Sequence, residues 1–158
     1  TPTPAEAYRL QLGATDPVYF ATIDEACFLK AEAYARLNDA ANARSNYEEA
    51  IRAAFARCGC TGADELIAGD YAFTGGTTEQ MVEQIINHKW ASNVRCMPIE
   101  SWFDMNRTGY PTRGTTITAS EGVLGGFPCR FLYPYNSTDY NPNAPQVEPL
   151  TAKMWWHK

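Results

Sequence analysis

Residues 21–57 contain two amphipathic stretches that are separated by a three-residue break, Asn-Asp-Ala at positions 38–40. In each stretch, apolar residues recur every three or four positions, as they do on one face of an α-helix. The apolar positions are Ile23, Cys27, Ala31 and Tyr34 in the first stretch, and Ala43, Tyr47, Ala50, Ile51 and Ala54 in the second. Asn and Asp favour left-handed and capping conformations, so the break can reverse the chain. The pattern predicts an antiparallel helical hairpin over residues 21–57.

Details of this hairpin resemble one tetratricopeptide repeat. The repeat places small and aromatic residues in its first helix and an A-x3-F pair in its second helix. Here Ala31 and Tyr34 occupy the first-helix positions, and Ala43 with Tyr47 supplies the second-helix pair. We therefore interpret the hairpin as a degenerate tetratricopeptide unit, and the alternative is an ordinary alanine-rich hairpin.

Residues 78–108 predict a pair of helices. Thr77 and Gln80 stand three residues apart, which is the signature of a capping box at a helix start. The predicted buried face of the first helix consists of Met81, Val82, Ile85, Ile86 and Trp90. Pro98 suits the first turn of the second helix, and Gly109 suits its end.

Residues 112–158 predict an irregular, turn-rich tail with short extended pieces at 115–118 and 130–133. We expect the large apolar residues of the tail to anchor it along the helices, because that much apolar surface is costly to leave in water. They are Phe127, Phe131, Leu132, Tyr133, Trp155 and Trp156. With 158 residues in total, the chain has the size of a single domain or of a fragment of a larger protein.

Charge and hydropathy argue against several classes of protein. The net charge is -5 and the pI is about 5.0, whereas nucleic-acid binders and proteins that dock on anionic lipid usually carry a basic face. No stretch approaches the roughly 18 apolar residues of a membrane span, and no signal peptide is present. Because the first residue is Thr and not Met, we expect the chain to be a processed or trimmed piece.

The loop over residues 58–77 is the predicted ligand region. It contains five glycines and one possible helical turn at residues 63–68, and long loops in compact domains are often functional. Small-ligand sites combine aromatic surface with a few polar groups, and sugars can stack on exposed rings. We therefore predict Tyr71, Phe73 and Asp70 as ligand-binding residues. The alternative is that both aromatic rings simply pack the loop onto the core.

No catalytic constellation is present in the sequence. No Ser lies in a G-x-S-x-G turn, no Cys has a recognisable nucleophile context, and no Gly-rich phosphate loop joins a strand to a helix. Among five cysteines, Cys58 and Cys60 form one close pair, whereas a zinc site of this type usually needs two such pairs. We therefore predict a protein that is not an enzyme and that holds neither a metal nor a cofactor.

Three later stretches, taken with the hairpin, resemble one protein family. They read Ile-Asn-His-Lys-Trp at 86–90, Glu-Ser-Trp-Phe-Asp-Met-Asn-Arg-Thr-Gly-Tyr-Pro at 100–111, and Pro-Cys-Arg-Phe-Leu-Tyr-Pro at 128–134, followed by Met-Trp-Trp at 154–156. In this order and spacing they resemble the C-terminal part of SusD/RagB-type outer-membrane nutrient-binding lipoproteins, over about residues 21–156.

This resemblance implies an all-α fold, in which tetratricopeptide-like hairpins accompany a long irregular, loop-rich C-terminal segment. It implies non-catalytic capture of an oligosaccharide or polysaccharide, with peptides as a further possibility, and delivery to a SusC-like TonB-dependent transporter. It also implies a surface-exposed lipoprotein of the outer membrane, whose lipid anchor and N-terminal part lie outside this chain. Binding to nucleic acid is not expected.

The sequence leaves two alternatives to glycan capture. The main alternative is a tetratricopeptide adaptor for a protein partner, although repeat arrays usually need about three or more units and one is recognisable here. The other alternative is a carbohydrate-active enzyme that uses an acidic pair such as Asp64 and Glu65. Solvated loop charges are the simpler explanation of that pair.

Overall fold

The computed structural model of the chain describes residues 13–94, 96–112, 127–134, 137–138, 140–144 and 149–158. Its helices are α1 (Ile23–Arg36), α2 (Ala40–Cys58), α3 (Ala63–Ala68), α4 (Thr78–Asn93) and α5 (Pro98–Thr108). No β-strand occurs among the residues described, which confirms the all-α class. The chain divides into two compact units, residues 1–101 and residues 102–158, and the division lies inside the predicted helix pair 78–108.

The hairpin of the first unit is formed by α1 and α2, and local sequence determines its turn. Asn38 adopts a left-handed conformation with φ of 62°. Asp39 then caps α2, because its Oδ1 accepts a hydrogen bond from the Asn42 backbone N–H at 3.1 Å. At the other end, Gly59 with φ of 67° terminates α2. Both helices that the sequence predicts for this region are therefore present, with a reversal at the predicted break.

The buried face of α1 is rotated by one residue from the predicted face. Asp24, Phe28 and Ala35 are buried and the predicted burial of Ala31 is confirmed, whereas Ile23 is 73% exposed. The pattern of apolar residues pointed to Ile23 because a carboxylate was not expected in the core. On α2 the prediction is confirmed for its central positions, which are Ala43, Tyr47, Ala50 and Ile51.

Helix α4 packs against α1 and starts with the predicted capping box. Thr77 Oγ1 accepts from the Gln80 N–H at 3.3 Å, and Gln80 Oε1 accepts from the Thr77 N–H at 2.9 Å. The predicted burial of Met81, Val82, Ile85 and Ile86 is confirmed.

The predicted burial of Trp90 is wrong, since 47% of this residue is exposed. Lys89 occupies the buried position instead, with 2% exposure, and its Nζ lies 3.9 Å from Glu25 Oε1 on α1. A helix turns by about 100° per residue, so Lys89 lies in the middle of the face formed by the buried residues of α4, whereas Trp90 lies beyond its edge. The nearby carboxylate makes burial of the lysine tolerable.

The second unit contains the last turns of α5 and the described parts of the predicted tail. Trp102 Nε1 donates to the Pro128 carbonyl at 3.0 Å, and the Trp102 ring lies 5.0 Å from the Phe131 ring. The tail is only partly anchored, because Phe131 and Leu132 are each 64% exposed and Trp155 is 92% exposed. Residues 130–133 form no strand, and residues 115–118 lie outside the described part.

Candidate ligand-binding site

The three predicted ligand residues lie in the connection between α3 and α4, in different environments. The Tyr71 N–H donates to the Leu66 carbonyl at 2.8 Å, so the connection folds back onto α3. Asp70 is exposed and Tyr71 is partly buried. Phe73 is 9% exposed, and its ring centroid lies 5.2 Å from that of Tyr47. Phe73 therefore belongs to the core, which is the alternative that its sequence context left open.

Tyr71 lies beside a cavity of about 210 Å³ at one end of the hairpin. Its ring packs against the His88 ring of α4 with a centroid distance of 4.5 Å, and both rings line this space. We call this space the hairpin cavity. Its apolar walls come from α1, α2 and α4 and include Phe28, Ile51, Ala54, Phe55, Ala91 and Val94, and its polar lining includes Arg57, Cys58, Cys60 and Ser92.

A buried hydroxyl supports Tyr71 and His88 from behind. Tyr47 is fully buried, and its Oη lies 2.8 Å from the Tyr71 carbonyl oxygen and 2.8 Å from His88 Nδ1. Burial raises the pKa of Tyr47 well above its usual value of 10.0, so the group remains a neutral hydroxyl at physiological pH. The core of the hairpin thereby holds both the loop and the histidine in place.

Gln84 connects the same network to the loop. Its Nε2 donates to the Ala72 carbonyl at 2.8 Å and to Tyr47 Oη at 3.4 Å. Its Oε1 accepts from the Thr74 N–H and from Thr74 Oγ1, each at 3.1 Å. The backbone of residues 71–74 is therefore attached to α2 and α4 by side-chain hydrogen bonds, which gives the candidate site a defined shape.

His88 is neutral at physiological pH and lines a second space as well. Burial is the main cause that lowers the pKa of His88 below 6.5, and a hydrogen bond to the Gln84 backbone acts in the opposite direction without overcoming it. The second space is a polar groove of about 510 Å³. Its lining residues are Thr74, Gly75, Gly76, Gln80, Glu83, Gln84, Asn87 and His88. His88 thus connects the hairpin cavity with this polar groove.

Arg57, which lines the hairpin cavity, forms an ion pair with the buried Asp24. Arg57 Nη2 lies 2.9 Å from Asp24 Oδ2, Arg57 Nε lies 3.2 Å from Asp24 Oδ1, and Ser92 Oγ donates to Asp24 Oδ2 at 2.9 Å. Burial alone would raise the pKa of Asp24, but the hydrogen bonds from Arg57, Thr22 and Ser92 together with the positive charge of Arg57 outweigh it, so the pKa lies below 3.8. Arg57 also donates to the Ser92 carbonyl at 2.8 Å. This cluster joins α1, α2 and α4 and leaves the guanidinium engaged within the protein.

The second unit has an aromatic groove of its own, with a volume of about 380 Å³. Trp102, Phe103, Phe131 and Trp156 form its walls together with the chain around Arg130 and Tyr133. The Arg130 guanidinium lies 5.8 Å from the centre of the Tyr133 ring. Among the described lining residues of this groove, Trp102 Nε1 is already engaged by the Pro128 carbonyl, whereas the hairpin cavity has a histidine held by Tyr47, so we take the hairpin cavity as the candidate site.

Sequence reasoning did not identify Tyr47, Gln84 and His88 as parts of a site. Tyr47 was assigned to an apolar face, although a buried tyrosine hydroxyl requires hydrogen-bond partners. Gln84 and His88 are four residues apart and share one face of α4. The signal for Gln84 and His88 is the buried Tyr47 itself, because its hydroxyl needs polar partners from a neighbouring helix.

The described residues show no group of three or more His, Cys, Asp or Glu side chains that could hold a metal ion. Within the same residues, none of the helices has the length and apolar character needed to cross a bilayer. The described lining of the hairpin cavity combines aromatic and aliphatic side chains with the neutral imidazole of His88 and the polar groups of Arg57 and Ser92.

Fold and site together define an all-α protein of the helical-hairpin type, with a small cavity of mixed aromatic and polar character. The SusD-like family model, described as starch-binding and associating with the outer membrane, matches residues 4–134. Because this match covers more than half of the chain, the chain belongs to the SusD-like family. The family resemblance drawn from the motifs at residues 86–90, 100–111 and 128–134 is confirmed.

Two solved structures are similar to this chain. A SusD homologue from Bacteroides thetaiotaomicron VPI-5482 has a TM-score of 0.71 and 22% identity, over 93% of this chain and 40% of that one. A chitin-binding SusD homologue from Flavobacterium johnsoniae has a TM-score of 0.57 and 26% identity, over 70% of this chain and 29% of that one. The chain thus spans less than half the length of either structure. No curated protein matches it.

Proposed function

We propose that the protein binds glycans without modifying them, at the bacterial outer membrane. The observation that carries this proposal is the match of residues 4–134 to a family described as starch-binding and associating with the outer membrane. A structural relative that binds chitin supports the same class of ligand. We further propose that the protein is a surface lipoprotein and passes its ligand to a SusC-like TonB-dependent transporter, as the family resemblance implies.

We propose the hairpin cavity and the loop beside it as the ligand site of this chain. Tyr71 would supply aromatic surface for the apolar face of a sugar ring, and Asp70 is exposed next to it and able to accept hydrogen bonds from hydroxyl groups. Phe73 would contribute indirectly, because its packing on Tyr47 supports the loop. A peptide is the alternative ligand.

Calorimetric titration of the chain with soluble maltooligosaccharides, chitooligosaccharides and short peptides tests this proposal. We expect binding of at least one glycan, with Tyr71→Ala weakening it by about fivefold or more, since loss of a stacking contact is worth on the order of 1 kcal/mol or more. Tyr140→Ala is the matched control, because Tyr140 is 76% exposed and lies in the second unit.

Three outcomes would contradict the proposal in different ways. If the Tyr71 and Tyr140 variants lost glycan affinity equally, the hairpin cavity would be wrong as the site, although the chain would still be a glycan-binding protein. Binding of peptides alone would change the ligand class. The appearance of shortened oligosaccharides during the titration would indicate an enzyme, and could be detected by chromatography of the recovered glycan.

A further inference from the structure

The hydrogen bonds around Gln84 determine the orientation of its amide. The Thr74 backbone N–H can only donate, so the Gln84 atom that it contacts at 3.1 Å is the oxygen Oε1. The Ala72 carbonyl can only accept, so the atom that contacts it at 2.8 Å is Nε2. Gln84 Nε2 is therefore a donor toward Tyr47 Oη, at 3.4 Å.

The same reasoning determines which nitrogen of His88 carries the proton. The single proton of Tyr47 Oη points to the Tyr71 carbonyl at 2.8 Å, because that carbonyl can only accept. The contact of 2.8 Å between Tyr47 Oη and His88 Nδ1 then needs its proton from Nδ1. This contact requires the Nδ1–H tautomer.

His88 Nε2 is consequently an unprotonated acceptor. Among the described residues it has no side-chain partner, and it is not one of their buried atoms that lack a hydrogen bond. The atom is therefore exposed, and the two spaces that His88 lines are the hairpin cavity and the polar groove. An accessible acceptor with a fixed tautomer is suited to a ligand that donates a hydrogen bond.

The remaining lining of the hairpin cavity limits the charge and the size of such a ligand. Among its described lining residues Arg57 is the one cation, and its guanidinium is engaged by Asp24 and the Ser92 carbonyl. An anionic group would therefore find no free positive charge there. The volume of about 210 Å³ is also below the roughly 300 Å³ at which ordinary small-molecule pockets begin, so the cavity suits one ring and not an extended chain.

We propose that the hairpin cavity is a subsite for one neutral, hydroxyl-bearing sugar ring, and that His88 Nε2 accepts a hydrogen bond from one of its hydroxyl groups. Tyr71 provides the adjacent aromatic surface, and Tyr47 and Gln84 act as positioning residues that hold the imidazole in the accepting tautomer. This inference rests on the proposed glycan-binding function and adds the selectivity: neutral sugars bind in preference to uronic acids or sulfated sugars of the same size.

Titration with neutral glycans tests the role of His88. In His88→Phe both ring nitrogens are lost and an aromatic ring is kept, so we expect affinity to fall about five- to tenfold, as for one lost hydrogen bond. In His88→Gln the side-chain oxygen can still accept, so we expect a smaller loss. Unchanged affinity in His88→Phe would overturn this inference and leave glycan binding standing. Absence of glycan binding by the wild-type chain would overturn both.

A spectroscopic measurement tests the tautomer independently of any ligand and of any folding defect in the variants. Nitrogen-15 NMR of the imidazole in the free wild-type chain should show a protonated Nδ1 and an unprotonated Nε2 at neutral pH. In Tyr47→Phe, which removes the hydroxyl behind the ring, we expect a mixture of tautomers and weaker glycan binding. A proton on Nε2 in the wild-type chain would overturn the inference directly. Equal affinity for neutral and acidic sugars would overturn the proposed selectivity.

Discussion

At the residue scale, Asp24 shows how a charged group can belong to the core of this protein. The residue is 1% exposed, and its two carboxylate oxygens are occupied by Arg57 from α2 and Ser92 from α4. Removal of either charge from such a pair leaves the other buried without compensation, which costs far more than the pair contributes. The cluster therefore stabilises the arrangement of the three helices that form the hairpin cavity.

We predict that Arg57→Met lowers the free energy of unfolding by about 3 to 5 kcal/mol, because the Asp24 carboxylate then lies buried and unpaired. Urea unfolding followed by circular dichroism measures this change. Arg44→Met is the matched control, because Arg44 is exposed and pairs with Glu48 on the same helix at 2.8 Å. The control should lose less than about 1 kcal/mol. Equal losses of unfolding free energy in the two variants would show that the Asp24 carboxylate does not depend on Arg57.

At the scale of the helices and turns, the sequence predicts turns and helix caps, which depend on neighbouring residues. It does not predict the partners of buried polar groups. The reversal at Asn38 and Asp39 depends on residues within one turn of each other, as does the capping box at Thr77. The phase of α1 and the burial of Lys89 depend instead on Arg57 and Glu25, which are distant in the sequence. Apolar periodicity carries no information about such partners.

In the candidate site, too, some residues were predictable from the sequence and others were not. Tyr71 and Asp70 could be chosen from the composition of their loop, because exposed loops with aromatic and polar residues are common at ligand sites. The network behind them joins Tyr47 to Tyr71, Gln84 and His88 across 24, 37 and 41 residues of sequence. The tertiary fold alone brings these groups together. The same contacts explain why Phe73, two residues after Tyr71, lies in the core.

The turn between α1 and α2 gives a prediction at this scale. Asn38 has φ of 62°, a conformation that costs residues with a Cβ about 1 to 2 kcal/mol, and less for Asn than for most. We expect Asn38→Ala to lower the free energy of unfolding by about 1 kcal/mol and Asn38→Gly to change it little, since glycine adopts this conformation freely. Thermal unfolding of both variants measures the difference. Equal losses would indicate that the Asn38 side chain matters more than its backbone conformation, through its contact with Thr78 Oγ1 at 3.4 Å.

At the scale of the whole molecule, the two compact units carry different kinds of surface. The first unit, which ends at residue 101, encloses the hairpin cavity within a polar network and an ion pair. The second unit, from residue 102, presents an open aromatic groove and a tryptophan, Trp155, that is 92% exposed. Exposed apolar patches usually mark surfaces of interaction, so we expect the aromatic groove of the second unit to be such a surface.

The pH dependence of stability reports on the first unit, because two of its shifted groups, His88 and Asp24, titrate in separate ranges, and the lowered pKa of Asp39 falls in the range of Asp24. In the folded chain the pKa of His88 lies below 6.5. Between the folded pKa and 6.5, the unfolded chain therefore binds more protons than the folded chain. Stability consequently falls as the pH falls through this range. The pKa of Asp24 lies below 3.8, so its contribution is present above 3.8 and is lost as the pH falls further toward the folded pKa. We expect urea midpoints to decrease first below about pH 6.5 and again below about pH 4. His88→Gln should remove the first decrease and retain the second, whereas a first decrease that persists in this variant would place the titrating group elsewhere.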